Sequence, residues 1–118
     1  MRLNEYQEKA MDTCMPSCEN FSYMMLNLVG EVGEFASKVA KSIRKGKADI
    51  VYSEMVVKLG DNDNLLLELQ AEAGDILWQL SGLCTAMGWS LEQVAQANLD
   101  KLASRKERGV IDGNGDNR

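Results

Sequence analysis

Apolar positions recur at a helical period along four stretches of this chain, and each stretch is bounded by residues that start or stop helices. Asn4 followed by Gln7 has capping-box spacing, so a first helix is expected over about 4–13, with Tyr6, Ala10 and Met11 facing inward. The segment from Cys14 to Asn20 contains Pro16 and reads as a connection. A second helix is predicted over about 20–45 and stops at Gly46. Its apolar stripe is Leu28, Val29, Val32, Phe35, Ala36, Val39 and Ile43, while Glu31, Glu34, Lys38, Lys41 and Lys45 line the other side. A third helix over about 64–87 carries Leu65, Leu66, Leu69, Ala73, Ile76, Leu77, Leu80, Leu83, Cys84 and Met87 on its stripe. Gly88 suits the position just past its end, and Ser90 with Gln93 has the spacing to cap a fourth helix over about 91–107. Leu91, Val94, Ala95, Leu99, Leu102 and Ala103 make the face of that helix expected to be buried.

Between the second and third helices the period is ambiguous. IVYSEMVVKL has strand-like composition and helix-compatible apolar spacing, so 47–61 is expected to be a loop with a short helical turn. GDNDN over 60–64 is turn chemistry, with Asp63 or Asn64 placed to cap the third helix. Gly74 inside a helix costs about 1 kcal/mol relative to Ala, which points to close helix–helix approach there. Trp78 falls off the stripe and is expected to be a half-buried or subunit-interface aromatic. The last ten residues, GVIDGNGDNR, hold three glycines and no period. The chain therefore reads as one all-α, four-helix-bundle-like domain over 1–108 with a flexible tail over 109–118.

Composition sharpens this in two places. A net charge of −5 argues against a nucleic-acid backbone as partner, because phosphate contacts need a basic surface. The chain contains no histidine. That removes Ser–His and Cys–His nucleophile pairs, the histidine ligands of most catalytic zinc sites, and the Glu-x-x-His pairs of di-iron bundles. Any catalysis must come from carboxylates, lysines and a metal. The three cysteines, Cys14, Cys18 and Cys84, are an odd number and are expected to be reduced thiols of a cytoplasmic protein. No apolar run is long enough for a bilayer, and Met1 leads into a polar segment, so neither membrane nor signal peptide is expected.

Two acidic pairs remain. Glu31 and Glu34 sit at i and i+3 on the second helix, and Glu72 and Asp75 repeat that spacing on the third. Carboxylates so spaced share a helix face and can share a hard cation; they are also what a solvated surface looks like. Packed antiparallel, the two helices would set four oxygen donors around one or two Mg²⁺ ions, with lysines beside them to complement a polyphosphate. There is no GxxxxGK[ST] loop, so such a site is not of the P-loop kind. Asn98 is a polar amide within the apolar face of the fourth helix, with Lys101 and Arg105 along its edge; it either caps a neighbouring carbonyl or meets a ligand.

In their order along the chain, NEYQEKA, LVGEVGEFASKVAKSIRK, EAGDILWQL, LCTAMGWSLEQVAQANLDKLASRKERG and GDNR resemble the MazG-like nucleoside triphosphate pyrophosphohydrolases, relatives of the all-α dUTPases and dCTP pyrophosphatases. The resemblance covers most of the chain outside 14–20 and 47–64. It implies Glu31, Glu34, Glu72 and Asp75 as Mg²⁺ ligands, with Mn²⁺ a substitute, and cleavage of a (deoxy)nucleoside triphosphate between its α and β phosphates. Lys38, Lys41, Asn98, Lys101 and Arg105 become phosphate or nucleoside contacts, and Glu34, or else Glu31, orients the attacking water. It also implies a homodimer or homotetramer. Two departures stand out: Gly30 replaces a glutamate many relatives carry, and the span from Glu34 to Glu72 is long, its extra residues (about 47–66) extending the third helix or forming a lid. The competing expectation from another class is a non-catalytic helical interaction or regulatory module that keeps the fold.

Overall fold

The computed structural model describes residues 1–58 and 64–118. Four helices follow in order: α1 (Leu3–Met11), α2 (Phe21–Arg44), α3 (Leu65–Ala86) and α4 (Leu91–Glu107). A single 3₁₀ turn over Pro16–Cys18 leads into α2, and two strands, β1 (Ala48–Val51) and β2 (Glu54–Val57), lie between α2 and α3. The helices match the sequence expectation to within a residue or two.

Helix ends follow local chemistry. Asn20 caps α2, its Oδ1 accepting from the Tyr23 N–H at 2.8 Å. Ser90 caps α4 as its spacing predicts, accepting from the Gln93 N–H at 3.2 Å. Gly46 and Gly88 end α2 and α3 with φ of 72° and 73°, a left-handed turn that glycine adopts without steric cost. Asn4 and Gln7 do not cap α1, whose first helical residue is Leu3, behind Arg2. They bridge to the far end of the sequence instead. Asn4 accepts from the Ser90 hydroxyl at 2.6 Å, and Gln7 accepts from the Leu91 N–H at 2.8 Å while donating to Thr85 Oγ1 and to the Trp89 carbonyl.

The region expected to be a loop with a helical turn is a β-hairpin. Its register pairs Ala48 with Val57 and Val51 with Glu54, leaving Tyr52 and Ser53 as a two-residue turn with φ of 49° and 67°. Such turns ordinarily announce themselves by Asn-Gly or Asp-Gly, and the absence of that signal hid the hairpin. Burial decides the matter: Ala48 joins Leu65 and Leu69 in a core cluster, with Phe35, Val39, Met55 and Val57 packed around it. The turn expected at 60–64 lies outside the described residues except for Asn64, which precedes α3 without a side-chain cap.

α2 and α3 form the main seam of the fold. Late α2 (Phe35, Val39) meets early α3 (Leu65, Leu69), and early α2 (Met24) meets late α3 (Gly82), so the two helices run antiparallel. The close approach falls at Gly82, not at Gly74. A Cβ on Gly82 would overlap the Met24 thioether, whereas one on Gly74 would meet nothing within 4 Å. Trp78 is half-buried, its indole N–H donating to the Ala10 carbonyl (3.0 Å) and to Thr13 Oγ1 (2.9 Å), which fastens the end of α1 to α3.

The apolar stripes are broader than one chain can cover. On α2 only Leu28, Phe35 and Val39 are partly covered, while Val29 and Val32 stay 64 % and 50 % exposed. On α4 the predicted buried face is mostly bare: Leu91 is buried, but Val94, Leu99 and Leu102 are exposed. The radius of gyration is 17.8 Å, against the roughly 13–14 Å that a compact chain of this length adopts.

Gly82→Ala should destabilise the fold by about 1–3 kcal/mol through overpacking against Met24. Gly74→Ala, into open space on a helix, should stabilise it by up to about 1 kcal/mol. Urea unfolding of the two variants checks this, and a larger loss at position 74 than at 82 would reverse the assignment of the close approach.

Candidate functional site

Halfway along the α2–α3 seam Glu31 of the first acidic pair meets both members of the second. One carboxylate oxygen each from Glu31, Glu72 and Asp75 lie within 4.8 Å of one another. The helical period carries these groups to the seam, and the apolar contacts at either end of the seam hold them there. Glu72 is buried, as its place at the border of the α3 stripe foreshadows, and Glu31 is half-buried. Glu34 is exposed and lies outside this three-carboxylate group.

Like charges at this separation repel, by roughly 3–4 kcal/mol per ionised pair at the effective dielectric of a protein surface. A lysine answers part of that cost. Lys38 Nζ sits 2.8 Å from Glu72 Oε1, and this hydrogen bond is the chief reason its ammonium is held above the ordinary lysine range. Among the described residues Glu31 has no such cationic partner. Burial first, and then the charges of Glu34, Asp75 and Glu72, push its carboxyl above the usual glutamate range, against a 3.4 Å hydrogen bond from Asn27 Nδ2. Asn27, one turn before Glu31, is legible in the sequence as an i,i+4 neighbour, although sequence reasoning passed over it. Tyr6 of α1 also belongs to this surround: its phenol is raised by burial and by the nearby Asp75 charge, and no spacing in the sequence announces it.

Oε2 of Glu31 and Oε2 of Glu72 are both buried with no hydrogen-bond partner among the described residues. A buried carboxylate oxygen without a donor is costly unless something else satisfies it. Hard oxygen donors from two helices, one exposed (Asp75) and two with orphaned oxygens, are a donor set that suits Mg²⁺ or Mn²⁺, which leaves positions for water and phosphate oxygens.

The remaining predicted residues fall in three places. Lys41 is exposed, one turn beyond Lys38 on α2. Asn98 and Lys101 are exposed on α4 and line a cavity of about 510 Å³ with Trp89, Gln93 and Val94, and none of the four carboxylates borders it. Arg105 is buried, 4 % exposed, beneath the segment 109–118. That segment, expected to be flexible, folds back along α4 and is held by hydrogen bonds from Arg105, Arg108 and Arg118. Within one chain, then, the structure joins Glu31, Glu72, Asp75 and Lys38, while Asn98 and Lys101 line a cavity that these residues do not border.

Comparison with known proteins now bears on this geometry. The family profile of the MazG nucleotide pyrophosphohydrolase domain matches residues 19–110, a span that includes both acidic pairs. The chain is similar over its whole length to the Gene 37 protein of Mycobacterium phage L5, at 40 % identity over 125 aligned positions that cover all of both proteins. No solved structure matches the chain significantly.

Because the Glu31 carboxyl is raised in the fold, the native state holds its proton more tightly than the unfolded chain does. Its contribution to stability is therefore fully present below the unfolded glutamate value and is lost as pH rises through the folded one. In the presence of a chelator the melting temperature should fall between mildly acidic and neutral pH. Saturating Mg²⁺ should flatten that slope and add about 2.7 kcal/mol at a hundredfold excess over its dissociation constant. Differential scanning calorimetry with and without Mg²⁺ checks both; a melting temperature indifferent to Mg²⁺ at neutral pH would remove the cation from this site.

Proposed function

The chain belongs to the MazG nucleotide pyrophosphohydrolase family, and from that premise we propose that it hydrolyses (deoxy)nucleoside triphosphates between the α and β phosphates, releasing nucleoside monophosphate and pyrophosphate. The observation that carries the reading is the convergence of Glu31, Glu72 and Asp75 at the middle of the α2–α3 seam, with two buried oxygens left unsatisfied. Glu31, Glu72 and Asp75, with Glu34 at the rim, are the residues that would hold Mg²⁺, or Mn²⁺ in its place. The cation supplies positive charge against the phosphates and favours ionisation of water.

The protein's own residues do the rest. Glu34, exposed beside Glu31, orients and deprotonates the attacking water, with Glu31 as the alternative base. The proton of that water passes to the carboxylate as the bridging phosphorus–oxygen bond breaks. Lys38 balances the charge of Glu72 at the seam and, with Lys41, faces a triphosphate approaching along α2. Asn98 and Lys101 extend the nucleotide-contacting surface onto α4; Arg105, expected beside them as a contact, is buried beneath 109–118 and does not reach it directly. The expected role is nucleotide-pool housekeeping in the cytoplasm. No helix among the described residues is long and apolar enough to cross a membrane.

The protein works as a homodimer or homotetramer in this reading. Phe21, Met25, Val29 and Val32 recur at i, i+4, i+8 and i+11 on α2 and are all exposed, as are Leu99 and Leu102 on α4. Covering apolar faces of that extent is what a second copy of the chain would do, and it accounts for the open shape.

Incubation with Mg²⁺ and a panel of nucleoside triphosphates, with products identified, is the direct test. Monophosphate and pyrophosphate are expected from at least one of them; no release from any would favour a non-catalytic module. Glu72→Gln should lower turnover by on the order of 100-fold or more while leaving the circular-dichroism spectrum unchanged. Retained activity would detach Glu72 from the metal. Light scattering should return a multiple of the 13.1 kDa chain mass, and Val29→Glu should lower that multiple.

A further inference from the structure

The end of the chain is a built loop, although it contains three glycines. Gly109 and Gly115 have φ of 69° and 78°, and a Cβ at Gly113 would press on Arg118 Cδ at 2.7 Å and on the Val110 carbonyl at 3.0 Å. The Val110 N–H donates to the Arg105 carbonyl at 2.9 Å, Arg118 Nε returns to the Val110 carbonyl at 3.1 Å, and Arg108 Nη2 donates to the Arg118 carbonyl at 2.7 Å. At the centre lies Arg105, whose Nη2 donates to both the side chain (3.1 Å) and the carbonyl (3.2 Å) of Asp116. The same Asp116 oxygen lies 3.5 Å from Lys101 Nζ.

We propose that Asp116 is a positioning residue of the nucleotide site: anchored by the buried Arg105, it fixes where Lys101 stands on α4 beside Asn98. The inference rests on the reading that Asn98 and Lys101 contact the nucleotide.

Burial divides the labour. Arg105 is 4 % exposed and its Nη2 donates to both the side chain and the carbonyl of Asp116, two bonds that fasten residue 116 to α4 even though the carboxylate itself is 85 % exposed. Lys101 is 42 % exposed on its side chain, and its contact with Asp116 is worth little as stability. What that contact supplies is geometry, because a lysine otherwise keeps a flexible four-carbon stem free to wander. Two cations share a single carboxylate, so one positive charge stays uncompensated and is available to a phosphate. The Asp116 carboxyl, held below the usual aspartate range mainly by the Arg105 hydrogen bond, remains ionised to do this at neutral pH. Arg105 thereby acts on the substrate indirectly, through the loop it secures.

Asp116→Asn keeps the shape and removes the charge, and Asp116→Glu is the conservative rescue. The probes are the α,β-methylene analogues of the four common deoxynucleoside triphosphates with Mg²⁺, titrated by calorimetry, so that binding is read independently of turnover. Asp116→Asn should weaken the best-bound analogue by about 10-fold, with Asp116→Glu recovering part of the loss, and it should speed amide exchange over 109–118. Mn²⁺ binding, which depends on the carboxylates of α2 and α3, should be unchanged. In a Lys101→Ala background the Asp116→Asn change should add no further loss of binding, since the two act as a unit. Unchanged analogue binding in Asp116→Asn, tighter binding, or full additivity with Lys101→Ala would each overturn the proposal. If the parent protein binds none of the analogues, the nucleotide reading itself falls, and this inference with it.

Discussion

Everything in this molecule depends on the α2–α3 seam being closed at both ends. At one end Ala48, Leu65 and Leu69 bury themselves with Phe35 and Val39; at the other Met24 sits against Gly82. Between those apolar contacts lie three carboxylates that would separate if they were free to. Hydrophobic burial at the ends is non-directional and is set by area. Repulsion in the middle is directional and grows as water is excluded. The two can coexist because the helices are stiff over the few turns involved, so the ends hold the middle in register. Lys38 relieves part of the repulsion, and the orphaned oxygens of Glu31 and Glu72 mark the part it does not relieve.

Much of this was legible beforehand, for identifiable reasons. Helices of many turns repeat their signal, so the boundaries of α2, α3 and α4 followed from stripes, Gly46, Gly88 and Ser90. The spacing of Glu31 with Glu34 and of Glu72 with Asp75 located the acidic motif in sequence. It did not say that Glu34 would stand outside the tight group: a shift of three residues turns a side chain by about 60°, and the rotation of each helix against its partner decides whether both members stay at the seam, as Glu72 and Asp75 do, or only one. The hairpin escaped notice because Tyr52 and Ser53 occupy left-handed positions without glycine or asparagine. The assignment of close packing to Gly74 failed for a different reason. Any helical glycine carries the same propensity cost, and only the partner helix decides which one is used.

Polar side chains were the hardest to place. Asn4 and Gln7 fit a capping pattern, yet each side chain found partners more than seventy residues away in the sequence. Arg105 resembled a surface cation on the edge of α4 and is instead the buried anchor of the last ten residues. Such long-range pairings leave no period in the sequence. They depend on which backbone groups the fold leaves unpaired, here the N–H of Leu91 and the carbonyls of Trp89 and Asp116.

The bridges from α1 to the root of α4 also impose an order of assembly. α2, the hairpin and α3 are neighbours in sequence and can close on one another through short loops, whereas the contacts of Asn4 and Gln7 with residues 85–92 span almost the whole chain. Contacts that enclose so much chain form late, since closure entropy must be met before they give anything back. Closure entropy alone therefore favours contacts among α2, the hairpin and α3 over those that join α1 to α4. Indole fluorescence, through the contact of Trp78 with Ala10 and Thr13, follows α1 docking in real time.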